Sequence, residues 1–371
     1  MLLAAIIVAS RVVSTGWLLL FAARQGDNAW TEARPSLWDF SRIWDAHWYR
    51  IIAEVGYPAE LPLTDSGEVG ENAWAFMPVY PFLVRALMAV TGGSFAVVSV
   101  IVSVAAFAAF IVLLDRLFRT VLPASRALAA VAVVAFSPVS PIFQVGYAES
   151  LGMLLVVAVL WAAARGRFVV AAALMVVAAL TRPVGVPLAL WAGIMLVVTW
   201  RRSDRNRRGY GALSVVGASA AALWPAIAWL VTGRVSAYLD TEFAWRRAYT
   251  DGQHLPWGTG WWHSAQWWFH EAGPWVLGAI SLVAVVIAAL PATRRMGMVL
   301  GVWTVSYLTY LVVVLFPQSS IFRLLAPMFP LAVPLARTRW STGIAIMAGI
   351  LLQYAWIDAC WRVSDLDWTP P

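Results

Sequence analysis

At 371 residues, with 61% apolar and only 12% charged side chains, the chain carries more apolar surface than a water-soluble core of its size can hide, so most of it is expected to lie in lipid. Its 26 basic residues are all Arg, which excludes lysine Schiff-base chemistry and the phosphate loop ending in Gly-Lys-Ser/Thr, and with that loop the usual route to ATP hydrolysis. The net charge of +7 is spread over short loops between apolar blocks, so it reads as orientation in a bilayer with no nucleic-acid partner, and a single cysteine, Cys360, rules out an internal disulfide or a cysteine cluster for a metal.

The apolar blocks run to about 17 to 23 residues, the length a helix needs to cross roughly 30 Å of hydrocarbon. Runs such as Phe95 to Leu114 and Val276 to Leu290 do not alternate in polarity, so an all-α polytopic transmembrane bundle is expected, not a barrel. In chain order the blocks predict about eleven spans, near residues 2–23, 94–114, 126–143, 147–164, 168–181, 184–200, 210–232, 273–291, 296–316, 320–336 and 340–357. All belong to a single integral membrane domain over residues 1–371. The first run has no basic residue ahead of it and no small-x-small site, so it is expected to be a retained span and not a leader cleaved after Ala23. Arg11 sits near its middle, where a cation must pair inside the bundle or contact lipid.

Residues 24–93 form a long connection. Within it Trp44, Trp48, Ile51, Ile52 and Val55 recur at helical spacing, which predicts an amphipathic interfacial helix ended by Gly56. Asp45 then falls in its first turn, where it either caps the helix or serves as a catalytic carboxylate; these residues alone leave both open. His47 is two residues away but projects from another part of the helix, so only a supporting role is expected of it. The stretch from Phe76 to Val90 is short and interrupted by Pro78 and Pro81, which predicts an interfacial or re-entrant segment leading into the next span.

Further along, Glu149 opens a span within Tyr147-Ala148-Glu149-Ser150, where it could be the base if Asp45 is not, although holding an arginine or capping the helix is the favoured reading. Thr181-Arg182-Pro183 marks a turn between two short spans, and Arg323 stands at the end of a late one. An arginine there either snorkels to the surface or binds an anion. The second long connection, residues 233–272, contains Trp245, Trp257, Trp261, Trp262, Trp267 and Trp268, with Trp275 just beyond. Most are expected to anchor at the interface, although aromatic faces also suit sugar rings and could line an acceptor cleft. Arg246 and Arg247 are expected to meet lipid headgroups. Asp365-Leu366-Asp367 spells an Asp-x-Asp pattern in a polar tail and is read as solvated.

The connections sort by charge. Arg116 to Arg126, Arg165 to Arg167, Arg201 to Arg208, Arg294 to Arg295 and Arg337 to Arg339 share one side, cytoplasmic by the positive-inside rule. The two long connections share the other, and they hold all four histidines and most of the acidic residues. Any chemistry is expected on that extracytoplasmic face of a plasma membrane.

Trp44-Asp45, then Ile52-Ala53-x-x-Gly56-Tyr57, then Ala75-Phe76-Met77-Pro78-Val79-Tyr80-Pro81 with Val84-Arg85, then Tyr147-Ala148-Glu149-Ser150-Leu151 resemble the PIG-V family of membrane mannosyltransferases and its bacterial relatives. Thr181-Arg182-Pro183-Val184-Gly185 resembles a fourth motif of that family. Met77 stands where a second Phe is usual, and Ala148 where Thr or Ser is common. The resemblance covers roughly the first half of the chain. It implies a GT-C type inverting glycosyltransferase that uses a polyprenyl-phosphate-sugar donor, with mannose the expected sugar and a lipid-linked glycan or related hydroxyl the acceptor.

The resemblance matches Asp45 to the family's essential acidic position, and one base suffices for an inverting transfer because the departing phosphate is already a stable anion. Arg323 and Arg182 are the candidates to meet that phosphate. Trp44, His47, Tyr57, Tyr80, Arg85, Tyr147 and Glu149 are expected to support them or to bind acceptor. No cofactor is required, and a divalent metal is left open. The rival expectation is a transporter or flippase of lipid-linked sugars.

Overall fold

The computed structural model describes residues 1–250, 252–289 and 296–363. Among them the regular elements are all helical, apart from an isolated antiparallel bridge between Leu63 and Val69. The chain opens with α1 (Leu2–Ala22), and its first long connection contains α2 (Asp45–Glu54) and α3 (Val79–Thr91). A helical series follows: α4 (Phe95–Phe118), α5 (Ala124–Ala135), α6 (Glu149–Ala164), α7 (Phe168–Ala179), α8 (Gly185–Arg201) and α9 (Arg207–Thr232). The second long connection holds α10 (Ala237–Ala244) and α11 (Gly260–Phe269), before α12 (Gly273–Ala289), α13 (Gly297–Val314) and α14 (Arg339–Trp356).

Six described helical runs are long and apolar enough to cross a membrane: α1, α4, α9, Gly260–Ile287, α13 and Arg339–Trp361. The other five expected spans are shorter or broken. Helices α6, α7 and α8 have 16, 12 and 17 residues. The run expected over 126–143 forms a 12-residue helix, α5, and then an irregular stretch around Pro138 and Pro141 with a tight turn over Ser140–Gln144. The run expected over 320–336 is split into Ile321–Leu324, Ala326–Leu331 and Ala332–Leu335, because Pro327, Pro330 and Pro334 each remove a backbone donor.

Irregular backbone at this depth must be satisfied by protein. Arg11 donates to the Ser140 carbonyl at 3.0 Å and to Gln144 Oε1 at 3.2 Å, while Ser150 Oγ donates to the Phe143 carbonyl at 2.9 Å. Arg11 therefore pairs inside the bundle, with its guanidinium over the Phe107 ring at 3.9 Å.

In α3 the prolines start the helix, since Pro78 caps it and Pro81 falls in the first turn, where no intrahelical donor is needed. In α2 the buried face consists of Ala46, Tyr49, Ile52 and Ala53, whereas Val55, expected on the apolar side, is exposed. Gly56, with φ +99, ends the helix in a conformation that favours glycine.

Small residues let the middle helices approach closely. A Cβ at Gly217 would lie 2.9 Å from Ala189 Cα, and one at Gly185 would lie 2.9 Å from Ala221 Cα, so α8 and α9 touch backbone to backbone. The two long connections dock on each other, since Asn72 Nδ2 donates to Thr241 Oγ1 at 2.9 Å and Arg247 meets Glu68 at 3.2 Å, while Tyr57 and Trp74 of the first pack against Trp224 of α9. Helices α6 and α8 start at the end of the bundle where Asp45 lies and run to the arginine-rich turns beyond Arg165 and Arg201.

Candidate active site

Four charged side chains from separate segments meet at that end of the bundle. Asp45 is the first residue of α2, and its backbone N–H donates to the Tyr147 hydroxyl at 3.0 Å. Glu149 is the first residue of α6, Arg182 occupies the turn between α7 and α8, and Arg323 sits in the short helix Ile321–Leu324. Arg323 places Nη2 at 2.7 Å from Asp45 Oδ2 and Nη1 at 2.7 Å from Glu149 Oε1. Arg182 Nη1 reaches the same Glu149 oxygen at 3.1 Å.

Local sequence explains the placements. A Cβ at Gly152 would lie 2.9 Å from Arg182 Cγ, so this glycine lets Arg182 lie across α6 toward Glu149. Trp44 adopts φ 58, a left-handed conformation that is strained for a large side chain. It is held by burial and by its indole N–H, which donates to the Trp361 carbonyl at 3.0 Å. That kink turns the chain into α2 and brings Asp45 to the cluster.

The four residues line a cavity of about 260 Å³, together with Phe76, Met77, Tyr307 and Tyr310. Asp45 and Glu149 differ in how they are held. Glu149 is only 4% exposed and receives two arginines, whereas Asp45 is 15% exposed and receives one. Burial pushes the Asp45 carboxyl above its ordinary value, with Arg323 pulling the other way. Asp45 is thus the more accessible carboxylate, and Glu149 the anchor that aligns two guanidiniums.

Among the described residues no three His, Cys, Asp or Glu side chains converge, and the two carboxylates that do meet are both held by Arg323. The Asp365-Leu366-Asp367 pattern, Arg294 and Arg295 lie outside the described residues.

Other residues singled out in the sequence lie beyond the cavity lining. The Tyr57 hydroxyl donates to the Phe76 carbonyl at 2.8 Å, and the Tyr80 hydroxyl bonds Ser99 and Ser103 between helices. His47 packs on Trp30 at 5.1 Å, and Arg85 is exposed. Trp44 acts through the backbone of Asp45, and Tyr147 through its hydrogen bond to it.

Sequence reasoning missed Glu242 as a lining residue, along with Tyr307 and Tyr310. Trp245, read as an interface anchor or as lining for an acceptor cleft, lines this cavity, as does Arg246, which was expected to meet lipid headgroups. The available signal was an acid and a base four residues apart, Glu242 and Arg246, with Tyr307 and Tyr310 one turn apart in a later apolar helix. Trp257 and Trp275 remain strongly exposed, as interfacial anchors require. Next to the cavity runs an apolar groove of about 470 Å³ between α5, the 322–335 segment and α14, lined by Val133, Phe322, Met328 and Leu352; Ala326 borders both spaces.

No family model matches the chain, and no curated protein does. Its fold is similar to solved structures. The archaeal oligosaccharyltransferase AglB from Archaeoglobus fulgidus, in complex with an inhibitory peptide and a dolichol-phosphate, superposes with a TM-score of 0.52 at 12% identity, covering 100% of this chain and 56% of that one. The Archaeoglobus fulgidus oligosaccharyltransferase in complex with Zn and sulfate gives 0.51 at 13% identity over 99% and 54% of the two chains. ArnT from Cupriavidus metallidurans bound to undecaprenyl phosphate gives 0.49 at 15% identity over 96% and 60%. The chain spans little more than half the length of the structures it matches. What the two oligosaccharyltransferase structures share with this chain is architecture alone, an all-α polytopic membrane bundle.

Proposed function

We propose that this chain is an inverting glycosyltransferase of the plasma membrane, moving mannose from a polyprenyl-phosphate-mannose donor to a lipid-linked glycan or related hydroxyl on the extracytoplasmic face. One observation carries the reading. A carboxylate and two arginines line a cavity that borders an apolar groove, the pairing of environments that a sugar phosphate on a long isoprenoid requires. The complex of AglB with dolichol-phosphate supports the same class of carrier on the same architecture. Mannose rests on the motifs around Trp44-Asp45, Phe76 to Pro81 and Tyr147 to Ser150. The arginine-rich turns at the far ends of α6 and α8 support an outward-facing site.

The chemistry is a single displacement. The acceptor hydroxyl oxygen attacks the anomeric carbon as its proton passes to Asp45, and the bond from that carbon to the phosphate oxygen breaks with its electron pair leaving on the phosphate. Arg323 and Arg182 meet the charge that develops on the departing polyprenyl phosphate. Glu149 holds both arginines in register.

The test is reconstitution with polyprenyl-phosphate-mannose labelled in the sugar. New glycosidic product together with free polyprenyl phosphate is the expected result, and Asp45→Asn should lose at least ~100-fold in rate while still binding donor. Donor moved across the bilayer unchanged would make the chain a transporter, and an undiminished Asp45→Asn rate would remove Asp45 from its role.

A further inference from the structure

The second long connection adds a wall to the cavity that the displacement does not use. Glu242 on α10 lines it, as do Trp245 and Arg246 just beyond that helix. Arg246 is engaged elsewhere, donating to the Val314 carbonyl at the end of α13 at 3.2 Å. Its closest approach to Glu242 Oε2 is 3.7 Å, too long for a direct hydrogen bond. The Tyr238 hydroxyl donates to Glu242, and a carboxylate with two oxygens keeps acceptor capacity toward the cavity beyond that one bond.

Trp245 is fixed edge-on against Trp48 at 5.7 Å and Phe76 at 5.9 Å, and its indole N–H is buried with no hydrogen-bond partner among the described residues. In the same cavity Glu149, itself 4% exposed, has its Oε2 buried and likewise without a partner among the described residues. An orphaned buried donor or acceptor is costly, so a ligand that satisfies both gains from each.

This combination selects a chemistry. Two carboxylates have acceptor capacity left, one indole N–H needs an acceptor, and Phe76, Trp245 and Tyr310 add aromatic carbon to the lining. An anion is disfavoured by Glu242 and Glu149, while a cationic amine leaves the indole N–H unmatched. Hydroxyl groups donate and accept alike, and a ring that carries several of them still presents C–H faces to aromatics. We infer that Glu242 and Trp245 form the acceptor subsite and take a neutral sugar ring, whose hydroxyls donate to Glu242 and Glu149 and accept from Trp245 Nε1–H. This rests on the glycosyltransferase reading and divides the cavity into a donor side at Arg182 and Arg323 and an acceptor side on the second connection.

The experiment uses the full chain in lipid nanodiscs, with labelled neutral octyl glycosides (mannoside, glucoside and galactoside) as acceptor probes and polyprenyl-phosphate-mannose as donor. Glu242→Gln and Trp245→Phe should each weaken binding of the preferred glycoside about tenfold or more, with donor affinity within about twofold of the parent. A parent that binds none of the glycosides overturns the inference, as do variants that bind them like the parent. If Glu242→Gln also loses donor affinity, Trp245→Phe decides, because it keeps the aromatic packing and removes only the indole N–H. A parent that binds a glycoside but transfers no sugar keeps the subsite and removes the transferase; transfer with glycoside affinity unchanged in both variants does the reverse.

Discussion

The Arg323 guanidinium lies 2.7 Å from the Asp45 carboxylate, so the cation proposed to meet the donor phosphate is the one that holds the proposed base. Its other terminal nitrogen is committed to Glu149 at 2.7 Å. The four charges at the cluster cancel, and a phosphodiester entering it must compete for a guanidinium already engaged. Phosphate oxygens that draw Arg323 away leave Asp45 freer to accept a proton. The geometry thus ties donor binding to activation of the base.

Arg323 should tolerate no substitution. Lys keeps the charge but offers a single ammonium in place of a fork that spans two carboxylates, so Arg323→Lys should weaken donor binding roughly tenfold. Arg323→Gln leaves two buried carboxylates facing each other and should cost about 3–5 kcal/mol in stability as well. Equilibrium binding of labelled donor and thermal unfolding in detergent separate the two effects. Parent-like donor affinity in Arg323→Lys would remove the arginine from the phosphate site.

Asp45 should set the acid limb of the pH profile. Its carboxyl is raised by burial against the pull of Arg323, and only the ionised form accepts a proton. Hence kcat/KM should fall, as pH is lowered, at a higher pH than the roughly 4 of a free aspartate. For folding the sign is opposite. The native state holds this proton more tightly than the unfolded chain, so the stabilisation is present below the unfolded pKa and is lost as pH rises through the folded one. Arg323→Gln removes a pull toward the charged form and should move the limb further upward. An acid limb at or below the free-aspartate range contradicts this assignment.

Much of the site was legible because charge is rare in this chain. Asp45, Glu149, Arg182 and Arg323 stand out against apolar runs, and lipid forces such groups inward toward partners. Their convergence was not legible, since it depends on the bend at Trp44 and the close passage of Arg182 over Gly152, neither of which has a periodic signature. Glu242 went unseen, and Trp245 stayed between two readings, for another reason. A connection rich in tryptophan looks the same whether its rings face lipid or a cavity, and only docking through Asn72 and Thr241 fixes which. The helical class followed from hydropathy, but hydropathy does not see that the 137–148 stretch leaves the helix inside the protein, where Arg11 satisfies its backbone.

Gly152→Ala tests that close passage. The added methyl would meet Arg182 Cγ at 2.9 Å, near the base of the side chain, where the arginine cannot yield without moving its head from Glu149. Donor affinity should drop several-fold, and the overpacking should cost about 1–3 kcal/mol. Gly301→Ala is the control, because a Cβ there meets nothing within 4 Å and alanine favours the helix. Donor binding and unfolding temperature measured on both variants give the answer. Equal behaviour of the two would mean that Arg182 does not depend on the space Gly152 leaves.

Arg11 should matter at a distance from the cavity. Its guanidinium supports Ser140 and Gln144 within the irregular stretch that leads, a few residues later, to Tyr147 and Glu149. Arg11→Met fills similar space but removes these donors, so the loss should be about 1–3 kcal/mol of stability. Because Tyr147 anchors the backbone of Asp45, a loosened stretch should also lower kcat more than it raises the KM for donor. Arg11→Lys restores charge without the fork and should recover stability only in part. Hydrogen exchange over residues 136–148, read beside thermal unfolding, checks the mechanism: faster exchange there is expected in Arg11→Met, and unchanged exchange with an unchanged unfolding temperature would show that Arg11 supports nothing in that stretch.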